Sequence, residues 1–399
     1  MDDVKVSAES EFNPIYEETF DNSHELYKQM RHGCPVAHST AFGGFWALFK
    51  FGDVVGVIED SATFITSEKN VVPPATRNQG RRPPLHFDPP EHAMFRRPIN
   101  LVFSTGRMTA LTGRVRELAD GLLDRLVVQG EFDYTKDFAE YFAAGCFGMI
   151  LNLPPATMRR AREVQVQYYR SQVAMDRTRV MEASNALYDI AREIVEERKS
   201  NLLDPSLDLV SALLLAGERG KPIPDDMVVA SLRQFLSASQ AAPQAVLGSI
   251  AVHLARDQDL QGMLRQNPEQ VPAAVEEFLR LYSPYRVFAR TAVHDVEIGG
   301  RTIPAGDPIT MNFPSANRDE DVFDRPDDFI IDRPNRHIAF GRGPHRCPAA
   351  ALARLELQVG TTTLLGKTER FELAGDVVMT DWLEFGPAST PLRVDAARS

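Results

Sequence analysis

The 399-residue sequence predicts a mainly α protein with a minor β portion. Three observations carry this: long stretches whose apolar residues recur at helical spacing, only a few short runs rich in Val, Ile and Thr, and no linker, low-complexity tract or repeat to divide the chain. Residues 45–58, from Phe45 and Trp46 to Val57 and Ile58, read as a strand followed by a short helix. Pro73, Pro74, Gly80, Pro83 and Pro84 make 68–86 a long irregular loop, a kind often functional in compact proteins. Amphipathic helices follow at about 106–128 and 136–151, Asn152-Leu153-Pro154-Pro155 breaks the pattern, and 156–199 carries two more helices. The longest apolar-periodic run is 226–255. Short strands near 294–311 end at Asn312-Phe313-Pro314, and 317–336 is an irregular stretch dense in Asp, Pro and Arg. The whole of 1–399 reads as one domain.

Composition narrows the function classes. Hydrophobic residues make up 43% and charged residues 25%, enough for a sizeable core beneath an ordinary soluble surface. With 55 acids against 44 bases the formal net charge is -11, which argues against wrapping nucleic acid or lying on an anionic membrane. Cys34, Cys146 and Cys347 are the only cysteines and are far apart, so a disulfide framework is not expected and a reducing cytosol is. The start, Met-Asp-Asp-Val-Lys, lacks a basic-then-apolar signal segment, and no apolar stretch is long enough to span a bilayer.

Residues 337–347 read His-Ile-Ala-Phe-Gly-Arg-Gly-Pro-His-Arg-Cys, with Phe340, Gly341, Gly343, His345 and Cys347 at the spacing of a haem-thiolate ligand loop. A single thiolate donates electron density to haem iron and favours O–O cleavage. Glycines let the backbone turn tightly and bring N–H groups towards the sulfur, where such bonds help set the potential of a ligated thiolate. Cys347 is therefore the expected iron ligand. Upstream, Glu277 and Arg280 in Glu-Glu-Phe-Leu-Arg are spaced i,i+3 and share one helix face. His92 and Arg96 lie i,i+4 on another.

On these residues the chain resembles the soluble bacterial type of cytochrome P450 from about residue 12 to the C-terminus. The resemblance implies the cytochrome P450 fold, a haem b cofactor (iron protoporphyrin IX), dioxygen as co-substrate, and electrons from a ferredoxin with its reductase or from a single reductase. Ala349 stands where a glycine is usual two residues after the cysteine. The family's Glu-x-x-Arg helix bonds to an arginine before the Cys loop, which places Glu277, Arg280 and Arg333 in one network. Residues matching the family's partners of the haem propionates are His92, Arg96, Arg290 and His337, and Phe340 and His345 belong to the cofactor loop. The 68–86 loop and the 156–190 helices are then an adjustable lid. Arg97, Arg342, Arg346 and Arg354 are expected to form a basic patch steering an acidic electron donor.

The long 226–255 segment departs from the family pattern. Where members usually carry Ala-Gly-x-Asp/Glu-Thr above the iron, this chain has Ala238-Ser239-Gln240-Ala241-Ala242-Pro243. Counting back from Leu254-Ala255-Arg256 puts Ala241 and Ala242 at the acid and alcohol positions, and a one-residue shift makes them Ala242 and Pro243. Either register lacks the pair. Pro243 has no N–H to bond four residues back, so it is expected to free the Ser239 carbonyl and bend the helix. Two readings stand: an ordered water held by that carbonyl with Ser239, Gln240 and Gln244, or a kink that merely fits the haem.

By family position the substrate pocket comprises Val71, Val72, Ala238, Ala241, Val287, Phe288 and Ala388 in the 387–389 turn, a mostly apolar site with no charged group specified. Solvation is expected for Arg77, Arg81 and Arg82 in the lid loop, with carboxylate binding as the alternative. The expected function is a monooxygenase acting on a small or medium hydrophobic substrate by hydroxylation or O-dealkylation, an aromatic ether being one version. The alternatives are a peroxide-driven or oxidative-coupling enzyme, and a non-enzymatic haem protein.

Overall fold

The computed structural model describes residues 12, 19–73, 80–218, 220–238, 240–286, 288–334, 336–380 and 384–397. Helices dominate, and several begin where a short polar side chain takes over an orphaned N–H. Asp208 accepts from the Ser211 N–H at 2.7 Å to start Leu209–Leu215, and Asp257 accepts from Leu260 to start Gln258–Gln266. Asn152 closes Glu140–Leu151 in the left-handed region, and Pro155 opens Pro155–Val173 at its first position, where a missing N–H costs nothing. The expected 106–128 helix is Thr105–Val127, and 136–151 divides into a π-turn, Tyr134–Ala139, and Glu140–Leu151. Arg177–Ser200 completes the pair over 156–199.

One large core binds these helices. Thr105–Val127, Glu140–Leu151, Ala241–Arg256 and Ala350–Lys367 meet through Leu123, Phe142, Leu247 and Leu364. Gly360 permits the closest approach: a Cβ there would fall 2.8 Å from Leu247 Cδ2. A five-stranded sheet flanks this core in the order Val36–Ser39, Phe45–Leu48, Pro308–Met311, Phe288–Ala292, Phe64–Ile65. Only the Phe45–Leu48 and Pro308–Met311 pair is parallel. Asn70 and Val71 follow the edge of this sheet, where the Ala289 N–H donates to the Asn70 carbonyl and Val71 bridges Phe288.

The expected single helix over 226–255 is two helices, Asp225–Ala238 and Ala241–Arg256. The break precedes Pro243 rather than sitting at it. Pro243 is the third residue of the second helix, inside the first turn, where N–H groups lack intrahelical acceptors in any case. Its ring therefore does not disturb an established ladder. Gln240 caps the restart, and its carbonyl accepts from the Gln244 N–H at 3.3 Å.

Two adjacent glutamates on the Val271–Leu281 helix organise the irregular 317–336 stretch and the Cys loop. Glu277 accepts from Arg280 at 2.7 and 2.8 Å, from Arg333 Nε at 3.0 Å and from the Ile330 N–H at 3.1 Å. Arg280 then donates to the carbonyls of Asn317, Pro326 and Asp328, and Arg333 to those of Asp324 and Arg325. Glu276 turns the other way. It accepts from Arg354 at 2.5 and 2.8 Å and meets His337 Nε2 at 3.1 Å, so it ties the segment before Cys347 to the helix after it.

Glu277→Ala leaves two buried guanidiniums without their anion and should cost roughly 3–5 kcal/mol, read as a lower urea midpoint with an unchanged slope. Burial would raise the Glu276 carboxyl, but Arg354 and His337 hold it down at about 2. Its contribution is therefore present above the ordinary carboxylate value near 4.5 and is lost as the pH falls towards 2. The stabilities of wild type and Glu276→Gln should accordingly converge over that window. A constant difference would mean the carboxylate's charge is not the stabilising element.

Candidate active site

Backbone geometry fixes the Cys loop before any side chain acts. Gly341 and Gly343 have φ of +65° and +64°, and a Cβ on Gly343 would lie 2.7 Å from the Ile58 carbonyl oxygen. Only glycine fits there. The Gly341 N–H donates to Ile338, the Arg346 N–H to Gly343, and the Cys347 N–H to the Phe340 carbonyl at 2.8 Å. Arg354 lies over the Phe340 ring, 4.6 Å from its centroid. Burial pushes the Cys347 thiol up, while the Ala349 N–H and the guanidiniums of Arg96, Arg346 and Arg354 draw it back. The sulfur thus faces donors and positive charge, the setting a ligated thiolate needs.

Beside it, the His92 and His345 rings are 4.4 Å apart, and His345 Nε2 is 3.3 Å from Thr66 Oγ1. Arg290 is buried and its charge acts on His345, as that of Arg96 acts on Cys347. Among the described residues no carboxylate pairs with Arg96 or Arg290, and His92 Nε2 is buried without a partner. The nearby Asp88 is taken up by Thr66 and Ser67. A group of four cationic or donor side chains beside a buried thiol, short of anions, fits a haem whose two propionates point there.

His337 is not in this group. Its Nδ1 accepts from the Ala339 N–H at 3.2 Å, which leaves Nε2–H for Glu276. The expected propionate partner is therefore a structural histidine, and His345 stands beside His92 instead. Glu276 escaped the sequence reading, although the Glu-Glu doublet before Phe278 was its signal.

The broken helix lies on the other side. A continuous helix would give the Ser237 carbonyl the Ala241 N–H. Here it accepts from Gln165 Nε2 at 2.7 Å and Tyr169 Oη at 2.9 Å, both from Pro155–Val173. Gln240 is 2% exposed, and neither side-chain amide atom has a partner among the described residues. Ser239 and Val287 lie outside the described residues.

Next to the break is a narrow cleft of about 90 Å³. Of the expected pocket residues, Val71, Ala238 and Phe288 line it. Val72 does not, being packed with Phe12, Phe45 and Ala289. Ala241 and Ala388 also lie off the cleft lining, and Ala388 belongs to a strand, Pro387–Ser389, paired with Val378–Met379. The lining is far more polar than expected: Arg82, Arg233, Tyr168, Tyr169 and Glu384 all face it. Arg82 is 3% exposed rather than solvated, Arg81 lies over Phe87, and Arg77 lies outside the described residues. The basic patch is also smaller than expected. Arg97 and Arg346 are exposed, whereas Arg354 is bound to Glu276 and Arg342 lies 3.6 Å from Glu59.

Gln165→Leu or Tyr169→Phe should each cost roughly 0.5–1.5 kcal/mol by removing one of the two donors to a buried carbonyl. Amide exchange at 236–242 should quicken in both. Unchanged exchange would show that water replaces the donor freely.

A family model described as cytochrome P450 matches residues 166–377. Putative cytochrome P450 YjiB of Bacillus subtilis (strain 168) is 30% identical over 355 residues, covering 87% of each chain. Nocardicin C N-oxygenase of Nocardia uniformis subsp. tsuyamanensis is 30% identical over 88% of each. Among solved structures, cytochrome P450 CYP109Q5 from Chondromyces apiculatus superposes with a TM-score of 0.83 at 26% identity, over 95% of this chain and 96% of that one.

Proposed function

The chain belongs to the cytochrome P450 family, the haem b monooxygenases, and on that premise we propose that it hydroxylates or O-dealkylates a small or medium organic substrate by an atypical proton route. The observation that carries the reading is the Cys347 loop, clamped on both sides by Glu276 and facing His92, Arg96, Arg290 and His345.

When bound, haem b supplies the reductive activation of dioxygen and the insertion of one oxygen atom. Cys347 provides the thiolate, and the N–H of Ala349 with the guanidiniums around it stabilises the negative sulfur. Arg96, Arg290, His92 and His345 would hold the two haem carboxylates. Protons have to arrive without an acid–alcohol pair, because Ala241 and Ala242 carry no exchangeable side-chain proton. Gln240 takes over the orienting part of that role: its buried amide, without a partner among the described residues, holds a water, and water carries the proton. Electrons come from a separate ferredoxin-type donor, docking near Arg97 and Arg346, the exposed cations on the thiolate side.

Ferrous protein with carbon monoxide should show the red-shifted Soret band of thiolate-bound haem, and Cys347→Ser should abolish it. A histidine-type spectrum in the wild type would overturn the ligand assignment. Gln240→Ala should lower the fraction of NAD(P)H recovered as product and raise peroxide release, by less than the roughly 10²-fold of a true acid–base group. Turnover with peroxide and none with a reductant would assign the chemistry to the peroxide-driven class.

A further inference from the structure

Arg82 and Arg233 are two of the most buried cations in the molecule, 3% and 1% exposed, and both face the same cleft. Arg233 rises from Asp225–Ala238 and is held in place by neutral groups only. Its Nη1 donates to Ser237 Oγ and its Nη2 to Ser184 Oγ, each at 3.1 Å, and its Cζ lies 4.7 Å from the centroid of the Tyr168 ring. Arg82 is anchored through its backbone, whose N–H donates to His86 Nδ1 at 3.2 Å. Each guanidinium keeps a buried Nε without a hydrogen-bond partner, and neither forms an ion pair among the described residues.

Arginine does not shed its proton to escape burial. Two guanidiniums in one low-dielectric cleft repel each other, and leaving either unpaired is costly. Arg82 acts on Arg233 in this way, second only to burial itself. The cleft's own acid does not relieve them. Glu384 lies against Arg286 and Tyr169 with its Oε1 unpartnered among the described residues, and burial raises its carboxyl to about 7, so that it carries at most part of a negative charge near neutral pH. Tyr168 lies beside both cations; burial would raise its phenol, but Arg233 and Arg82 bring it down. Even a phenolate there offsets only one of two positive charges.

We propose that the substrate carries a carboxylate, and that Arg82, Arg233 and Tyr168 bind it at the end of the cleft away from the reacting carbon. The inference rests on the monooxygenase reading of the same site. A carboxylate suits the place because two guanidiniums and a phenol present several N–H and O–H donors to one small anion, where an amide or ester offers no compensating charge. Distance along the helix sets the length of the substrate. From Arg233 to Ala238, where that helix ends at the break, is five residues, roughly 7.5 Å at 1.5 Å per residue. The acid is therefore an elongated one, oxidised at a carbon remote from its carboxylate.

The probes are 6-methoxy-2-naphthoate and 4-methoxybenzoate, each against its primary amide, with phenyl phosphate as a third anion. Binding is read by calorimetry on haem-loaded protein, so that it does not depend on the iron spectrum. The carbon monoxide spectrum is recorded on the same samples. A histidine-type spectrum there defeats the monooxygenase reading, whereas the thiolate spectrum leaves calorimetry to judge the anion site alone. The acids should bind more tightly than their amides, and Arg233→Gln or Arg82→Gln should each reduce acid affinity roughly ten- to hundredfold, as expected for losing a charged hydrogen-bond partner. Amide affinity should change little. Because the wild-type cations repel, both variants should fold at least as stably as the wild type without ligand. Acids binding no better than amides, no acid binding at millimolar concentration, a preference that survives both substitutions, or tighter binding of phenyl phosphate would each overturn the carboxylate assignment.

Discussion

Everything around the thiol depends on two consecutive carboxylates pointing in opposite directions from one helical turn. Glu277 faces the 317–336 stretch and, through Arg280 and Arg333, satisfies carbonyls that no helix or strand provides for. Glu276 faces the Cys loop and joins His337 to Arg354. Backbone bonds shape the Cys loop itself, but the irregular stretch before it makes too few of its own to fix the loop against the helices. The charges replace the missing ladder. Their burial is what makes them effective and also what makes the loss of any one of them costly.

The opposite side of the site follows another rule. There the long helix is interrupted, and its freed Ser237 carbonyl is taken by Gln165 and Tyr169 of a neighbouring helix. An interrupted helix exposes polar backbone to the cleft without burying it unsatisfied, and it leaves Gln240 buried with its amide unpaired among the described residues. The same interruption places Pro243 in a first turn, so a residue that looks disruptive in the sequence is at ease in the fold.

How far the site could be read from the sequence depended on whether its signals were local. The Cys loop, the i,i+3 pair Glu277 and Arg280, and the i,i+4 pair His92 and Arg96 are short-range patterns, and the structure brings each set together. Helix positions were legible from periodicity because burial follows it. The helix break was not, since Ser239-Gln240-Ala241 carries no Gly and its apolar spacing continues through the gap. His337 was misplaced because proximity to the loop in sequence says nothing of which neighbour its ring faces. Arg233 was missed for a deeper reason: on an amphipathic helix a lone arginine reads as solvent-facing, and only the packing of Pro155–Val173 and Arg177–Ser200 over it reveals the burial. Arg82 shows the same limit, since a basic loop is indistinguishable in sequence from one folded inward.

The Ser237 carbonyl ties the Pro155–Val173 helix to the break. Its two donors both belong to Pro155–Val173, so that helix cannot lift away from the cleft without taking them along. A buried carbonyl stripped of donors must be rehydrated. Water therefore enters at the break as the helix leaves, within a few residues of the amide of Gln240. Parting that helix from the cleft and wetting the interrupted helix would be one event, and its return would have to expel or trap that water. The hydration state of the reaction chamber is thus decided by the same two side chains that hold its cover shut.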